Sequence, residues 1–247
     1  MVDKPIRLQV FLSRNGVCSR RKALDLVKSG VVSVNGDIIC EPSFSIVPGK
    51  DIVAVNGKYV KPVNYEYVLL NKPAGYVTTK ADRFAKKTVF DLLPRHLHVL
   101  NPVGRLDRDT EGLLFLTNDG ELAFSLTHPK FNIERQYFVK IIGDFSNRDK
   151  KLLENGIIID SGKTLPARIR YLCNKRGIRQ LFITIYEGKK RQIRRMFERI
   201  GCKVIYLKRL SHGPLMLGNL RLGEWRHLEE KEVDMLKNYI AQFNLVK

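Results

Sequence analysis

Apolar positions change period along the chain, and the changes mark out its elements. In PIRLQVFLSRNG, residues 5–16, Leu8, Phe11 and Leu12 recur at helical spacing, and Asn15-Gly16 supplies a stop. Ser19 is placed to cap a second helix, SRRKALDLVKSG, with Ala23, Leu26 and Val27 on one face and Gly30 at its end. VVSVNGDII then reads as a hairpin about Asn35-Gly36. DIVAVNGKYV repeats that pattern about Asn56-Gly57, after a Pro48-Gly49 turn. Two short helices and four short strands need only a small core, so residues 1–60 are expected to form a separate unit. KPVN, residues 61–64, is the linker.

The pattern beyond the linker is different. Strand-like runs appear at EYVLLN, GLLFLT, QYFVKIIG, ARIRYL and QLFITIYEG. Between two of them, Ser146 with Asp149 three residues on caps a helix that Gly156 ends. HLEEKEVDMLKNYIAQF reads as a closing amphipathic helix. The strands come in runs rather than in alternation with helices, which predicts one α+β domain over 65–247 with a mixed or antiparallel sheet.

Charge changes the picture. The 247-residue chain carries a formal net charge of +19, so a polyanion is the expected partner, with nucleic acid the commonest case. Two places concentrate the cations. In the first unit, Arg7, Arg14, Arg20, Arg21, Lys22 and Lys28 are left over from the apolar faces and could rest on phosphates. In the second, residues 189–209 hold nine Lys or Arg and one acid, Glu198. There EGKKRQIRRMFERIG has Ile193, Met196, Phe197 and Ile200 at i, i+3, i+4, i+7, which predicts a helix ended by Gly201. Arg191 and Arg195 would point away from that stripe, and Arg194 would sit on its flank. Glu198, four residues after Arg194, could absorb it in an ordinary helix pair. One glutamate cannot absorb nine cations, which favours a nucleic-acid face that includes Lys189, Lys190, Arg191 and Arg195.

Cys18, Cys40, Cys173 and Cys202 are scattered and form no C-x-x-C pair, a usage that fits a reducing cytoplasm. The N-terminus has no signal-peptide pattern, and no apolar run is near the length of a membrane span.

The remaining chemistry lies in GRLDRDTEGLLFLTNDG, residues 104–120, where a basic protein gathers Asp107, Asp109, Glu111 and Asp119 beside an apolar strand. Spacing leaves several readings open. D-x-D-x-E-G copies the opening of a calcium loop, but its twelfth position is Asn118 and positions seven to eleven are LLFLT. A magnesium-dependent nuclease needs further carboxylates from elsewhere. A lone catalytic carboxylate beside an arginine, and an Asp-rich turn, also fit.

The stretch resembles the signature of bacterial ribosomal pseudouridine synthases of the RsuA/RluB type. LLNKPAG (69–75), ERQYFV (134–139), EGKKRQIRRMFERIG (187–201) and LGEWRHL (222–228) fit the same family in order. SRRKAL and VSVNG resemble the alpha-L RNA-binding domain named for ribosomal protein S4. The resemblance implies a pseudouridine synthase fold behind that small domain. It implies isomerisation of uridine: the glycosidic C–N bond breaks, the uracil turns, and C5 bonds to the ribose, with no cofactor and no metal. Asp107 is then the catalytic carboxylate. Tyr137 stacks on the base and helps with its proton, and Arg194 pairs with Asp107. Asp109, Glu111 and Asp119 are left structural or solvent-facing.

Arg135 stands where lysine is common in this family, and Gln9 where a basic residue is common, so this position lacks the charge for a phosphate contact. Arg105 joins the expected RNA contacts. The implied partner is ribosomal RNA or a ribosomal assembly intermediate, on the large-subunit side, met by a cytoplasmic monomer with no membrane role. The rival from another class is a non-catalytic RNA-binding assembly factor.

Overall fold

The computed structural model describes residues 5–80 and 86–244. Contacts divide the chain into two compact units, 1–66 and 67–247.

The first unit runs β1 (Ile6–Arg7), α1 (Leu8–Arg14), α2 (Arg20–Lys28), β2 (Val32–Val34), β3 (Asp37–Ile38), β4 (Ser45–Ile46), β5 (Val53–Val55) and β6 (Lys58–Tyr59). Local signals explain its turns. The Ser19 hydroxyl accepts from the Lys22 N–H at 3.3 Å and starts α2. Asn35 and Gly36 both have positive φ, 53° and 98°, as a two-residue hairpin turn requires, and they join β2 to β3. Strands β3-β2-β5-β6 form one sheet, and Leu8, Phe11, Leu12, Ala23, Val27 and Val32 are fully buried with it or nearly so.

The second unit runs β7 (Tyr67–Lys72), β8 (Asn101–Pro102), β9 (Glu111–Thr117), α3 (Gly120–Thr127), β10 (Arg135–Ile142), α4 (Asn147–Glu154), β11 (Ile158–Ile159), β12 (Gly162–Lys163), β13 (Arg168–Lys175), β14 (Ile178–Ile185), α5 (Gln192–Glu198), β15 (Lys203–His212), β16 (Leu215–Met216), β17 (Trp225–His227) and α6 (Glu230–Asn244). Its main sheet has the order β13-β14-β10-β15-β9-β7-β17, with β16 on β15 and β8 on β9. Strand β15 runs parallel to β9, and the other pairs are antiparallel. The architecture is α+β with a mixed sheet, as expected.

Side chains of β9 alternate between two cores. Leu114 and Leu116 join a cluster with Leu70, Tyr137, Val139, Leu181 and Ile183, packed by Leu153 of α4 and by Ile193, Met196 and Phe197 of α5. Leu113 and Phe115 face the other way, toward Leu122 and Leu126 of α3 and Leu236 and Ile240 of α6.

Several elements differ from the sequence reading. Strand β15 and helix α3 are additional to the runs that periodicity marked. The basic helix is shorter: Lys189 and Lys190 lie before it, and Arg191 is its N-cap in the left-handed conformation, φ 52°. The closing helix begins only at Glu230, because His227 belongs to strand β17, paired with Val68.

Candidate active site

Asp107 lies in the loop between β8 and β9, and that loop is held from one side by residues 72–78. Lys72, at the end of β7, is fully buried. Its ammonium donates to the carbonyls of Pro73 (2.9 Å), Arg108 (3.3 Å) and Thr110 (2.7 Å). The Gly75 N–H donates to the same Arg108 carbonyl at 2.7 Å. The Thr78 hydroxyl donates to the Leu106 carbonyl (2.9 Å) and accepts from the Leu106 N–H (3.3 Å). The KPAG turn is therefore a bracket for the aspartate loop. Burial pulls the Lys72 pKa down to about 8, against the attraction of Asp109, Glu111 and Asp107.

Helix α5 holds the loop from the other side. The buried Arg194 guanidinium donates to the Asp109 carbonyl at 3.0 Å, pairs with the Asp109 carboxylate at 3.0 Å, and donates to the Val204 carbonyl at 3.1 Å. Arg191 adds a contact to Asp109 at 3.5 Å. This corrects one expectation: Arg194 pairs with Asp109 rather than Asp107. The alternative in which Glu198 absorbs Arg194 is not what the structure shows. Asp109 is consequently the residue that ties the loop to α5.

Each carboxylate of the stretch has its own task. Glu111 accepts from the Tyr206 hydroxyl at 2.7 Å. Asp119 caps α3 through the Leu122 N–H at 3.1 Å and accepts from Tyr67 at 3.1 Å. Among the described residues the Asp107 carboxylate has no hydrogen bond or ion pair, and it is half-buried. Its loop is anchored on both sides while, among the described residues, the group itself has no partner. Among the described residues no three His, Cys, Asp or Glu side chains gather as a metal-binding group.

Tyr137 projects from the middle of β10 into the cluster that contains Leu106, the neighbour of Asp107, and it is 7% exposed. On the neighbouring strand β15 it faces Arg209, which is buried with its Nε donating to the Leu113 carbonyl at 2.7 Å and its Nη2 without a hydrogen bond among the described residues. Arg135 is a fold residue, donating to Leu126 (2.9 Å) and Ile133 (3.2 Å). Burial beside Arg209 and Arg135 pushes the His212 pKa well down, so this imidazole is neutral at pH 7.

Sequence reasoning missed Lys72, Thr78 and Arg209. Lys72 had a signal, since KPAG stood out as a mark without an assigned task.

The cationic residues divide by their engagement. Arg7, Arg20, Arg21, Lys22, Arg105 and Lys190 are exposed. Arg105 lines an open groove of about 550 Å³ with Thr78, Gly104, Phe124 and Thr127; Asp107, Tyr137 and Arg194 lie outside that lining. Arg14 instead stacks on Tyr65, 3.7 Å from the ring centroid, and holds residues 63–65. Lys189 reaches Glu187 and the Lys163 carbonyl, and Arg195 pairs with Asp160 at 3.6 Å. Gln9 is buried, 8% exposed, which removes it from any phosphate surface.

The mixed sheet thus carries an anchored loop whose Asp107 carboxylate has no partner among the described residues. Residues 66–199 match the RNA pseudouridylate synthase family model, and residues 6–53 match the S4 domain. The chain belongs to the RNA pseudouridylate synthase family. It is 42% identical over 233 residues to ribosomal large subunit pseudouridine synthase B of Bacillus subtilis (strain 168), covering 94% of this chain and 95% of that one. It is 36% identical over 242 residues to the protein of the same name from Vibrio vulnificus (strain CMCP6), covering 95% of this chain and 75% of the relative. A solved structure described as a pseudouridylate synthase superposes with a TM-score of 0.67 at 29% identity, covering 94% of this chain and 99% of the other. Among the described residues no helix is long and apolar enough to cross a membrane.

Proposed function

We propose that this chain converts specific uridines of ribosomal RNA, on the large-subunit side, to pseudouridine, acting as a cytoplasmic monomer. The observation that carries the reading is the Asp107 loop: bracketed by Lys72, Gly75 and Thr78 and tied by Arg194 through Asp109, with the Asp107 carboxylate unpaired among the described residues. Two relatives named as large-subunit synthases support the choice of RNA.

In this reading the first unit and the exposed cations hold the RNA, and the target uridine leaves its stack at a cost of a few kcal/mol. Tyr137 offsets part of that cost by stacking on the base. Asp107 acts as nucleophile on the ribose or as base in an elimination. Arg194 serves as a positioning residue, since its contacts go to the loop backbone and to Asp109. No atoms are gained or lost overall, so the residues need no redox partner.

The test is tritium release from C5 of uracil in unmodified large-subunit ribosomal RNA, with and without EDTA. Wild type should turn over in both, and Asp107→Asn should bind RNA, stay folded and release no tritium. Turnover retained by Asp107→Asn, or abolished by EDTA in the wild type, sinks this reading.

A further inference from the structure

One half of the sheet has an aromatic and basic face that the reaction does not use. Register places Phe138 of β10 opposite Phe182 of β14 and Lys208 of β15; Lys140 lies opposite Gln180 and Tyr206, and Arg170 opposite Phe182. Because strand side chains alternate, these residues share the face opposite Tyr137, Val139 and Ile141. Toward β9 the same face continues to Glu111, Leu113 and Phe115, and there α3 and α6 cover it. Toward β14 and β13 the cover ends. Phe138, Phe182 and Tyr206 belong to none of the hydrophobic clusters and are all partly exposed.

The rings form a row. Phe138 lies 5.8 Å from Phe182 and 6.0 Å from Tyr206, centroid to centroid. Cations sit over them: Arg170 is 4.7 Å from the Phe182 centroid and Lys140 is 5.2 Å from that of Tyr206. Among the described residues Lys140, Arg170 and Lys208 form no ion pair. The acid nearest in register, Glu111, is occupied by the Tyr206 hydroxyl.

We propose that this face is a second RNA platform, taking a single-stranded segment whose bases stack on Phe138 and Phe182 while Lys140, Arg170 and Lys208 meet its phosphates. Open sheets with surface aromatics hold two or three bases in this way. Stacking is indifferent to sequence, and cations along the strand neutralise the backbone. Charge complementarity selects RNA over a protein partner, because a protein-docking core is depleted in lysine, whereas among the described residues this face carries three cations without ion pairs and its Glu111 is held by Tyr206. The inference rests on RNA being the substrate but not on the chemistry of Asp107. It gives the catalytic unit a grip on RNA flanking the target, on a face turned away from Tyr137.

The test uses the full chain and a labelled single strand of about 16 nucleotides, within the span of such platforms, with 4-thiouridine at alternate positions. Fluorescence anisotropy gives affinity across a salt series, and photocrosslinking maps the contacts. Expected crosslinks fall on Phe138 and Phe182. Lys140→Glu with Arg170→Glu should weaken binding about tenfold and flatten the log–log salt slope by about 1.4, two contacts on a single strand. Phe138→Leu with Phe182→Leu should weaken it at least about fivefold, leaving the slope unchanged. Lys151→Glu with Lys231→Glu, an equal charge change on the exposed faces of α4 and α6, should have a smaller effect than Lys140→Glu with Arg170→Glu.

Should the leucine pair prove unstable by circular dichroism, the charge pair and the crosslinks decide alone. Crosslinks confined to other surfaces, or Lys140→Glu with Arg170→Glu binding like the charge control, overturn the proposal, and a protein found on the face instead would do so too. Tritium release is not the readout, so this platform and the isomerase reading fail separately.

Discussion

Lys72→Met removes the bracket of the Asp107 loop while keeping the volume of the buried chain. Three carbonyls lose a donor. That of Arg108 keeps the Gly75 N–H, so those of Pro73 and Thr110 are the ones stranded. Each buried acceptor left unmet costs about 1–3 kcal/mol, so the loss is roughly 2–6. Against this stands the cost of burying the ammonium. Its pKa is about 8 where an unperturbed lysine has 10.5, a difference of about 3 kcal/mol that methionine relieves. The net is between roughly −1 and +3 kcal/mol, a melting-temperature change of about ten degrees at most. The variant should fold at 25 °C.

Turnover should respond far more strongly. A loop that shifts by about 1 Å misplaces its carboxylate, which is worth on the order of 100-fold in rate.

The pH dependence separates these effects. The unfolded chain holds the Lys72 proton more tightly, so it binds more protons than the folded chain between about pH 8 and 10.5. The burial penalty is full below pH 8 and is relieved as pH rises through that window, so this group's contribution to stability improves. Above about pH 8 the neutral amine has two protons for three carbonyls, so wild-type kcat should fall there while this stability contribution grows. Tritium release from pH 7 to 9.5, paired with thermal melts of both proteins, reads both. A variant within twofold of wild-type kcat at pH 7 would refute the bracket, as would a defect that vanishes at a temperature where the variant is fully folded.

Other outcomes follow from the same geometry. Asp109→Asn strips the carboxylate from the buried Arg194 but leaves its bonds to the Asp109 and Val204 carbonyls, so it should cost about 1–3 kcal/mol by urea titration and lower kcat without abolishing it; an unaltered kcat would mean the tie does not position the loop. Gly112→Ala places a Cβ 2.2 Å from the Arg209 carbonyl oxygen at φ +104°, where β9 and β15 pass, and should destabilise by more than about 3 kcal/mol; a soluble variant melting like wild type would show that the strands can part. RNA binding by the full chain should fall with salt at a log–log slope of about −4.5 for about five phosphate contacts on duplex, and a flat response would remove the exposed cations from the RNA surface.

Some of this was legible from residues that are close in the chain. Asn35-Gly36 makes its turn because both residues tolerate positive φ, and Ser146 with Asp149 caps α4 through bonds that span three residues. The motif run around Asp107 located the candidate loop for the same reason: its identity is a matter of order along the chain. What sequence could not supply were choices made between distant segments. Strand β15 went unread because Lys208 and Arg209 interrupt its apolar pattern, yet Arg209 is buried, its guanidinium satisfied in part by the Leu113 carbonyl 96 residues away. Helix α5 ends at Glu198, short of Ile200 in its periodic stripe, and Arg191 before it is a left-handed N-cap whose side chain lies 3.5 Å from Asp109. Asp107 and Asp109 are two residues apart in sequence, and spacing cannot say which of them Arg194 meets. The packing of Ile193, Met196 and Phe197 fixes where α5 lies, and from there the guanidinium meets Asp109, leaving the Asp107 carboxylate without a partner among the described residues.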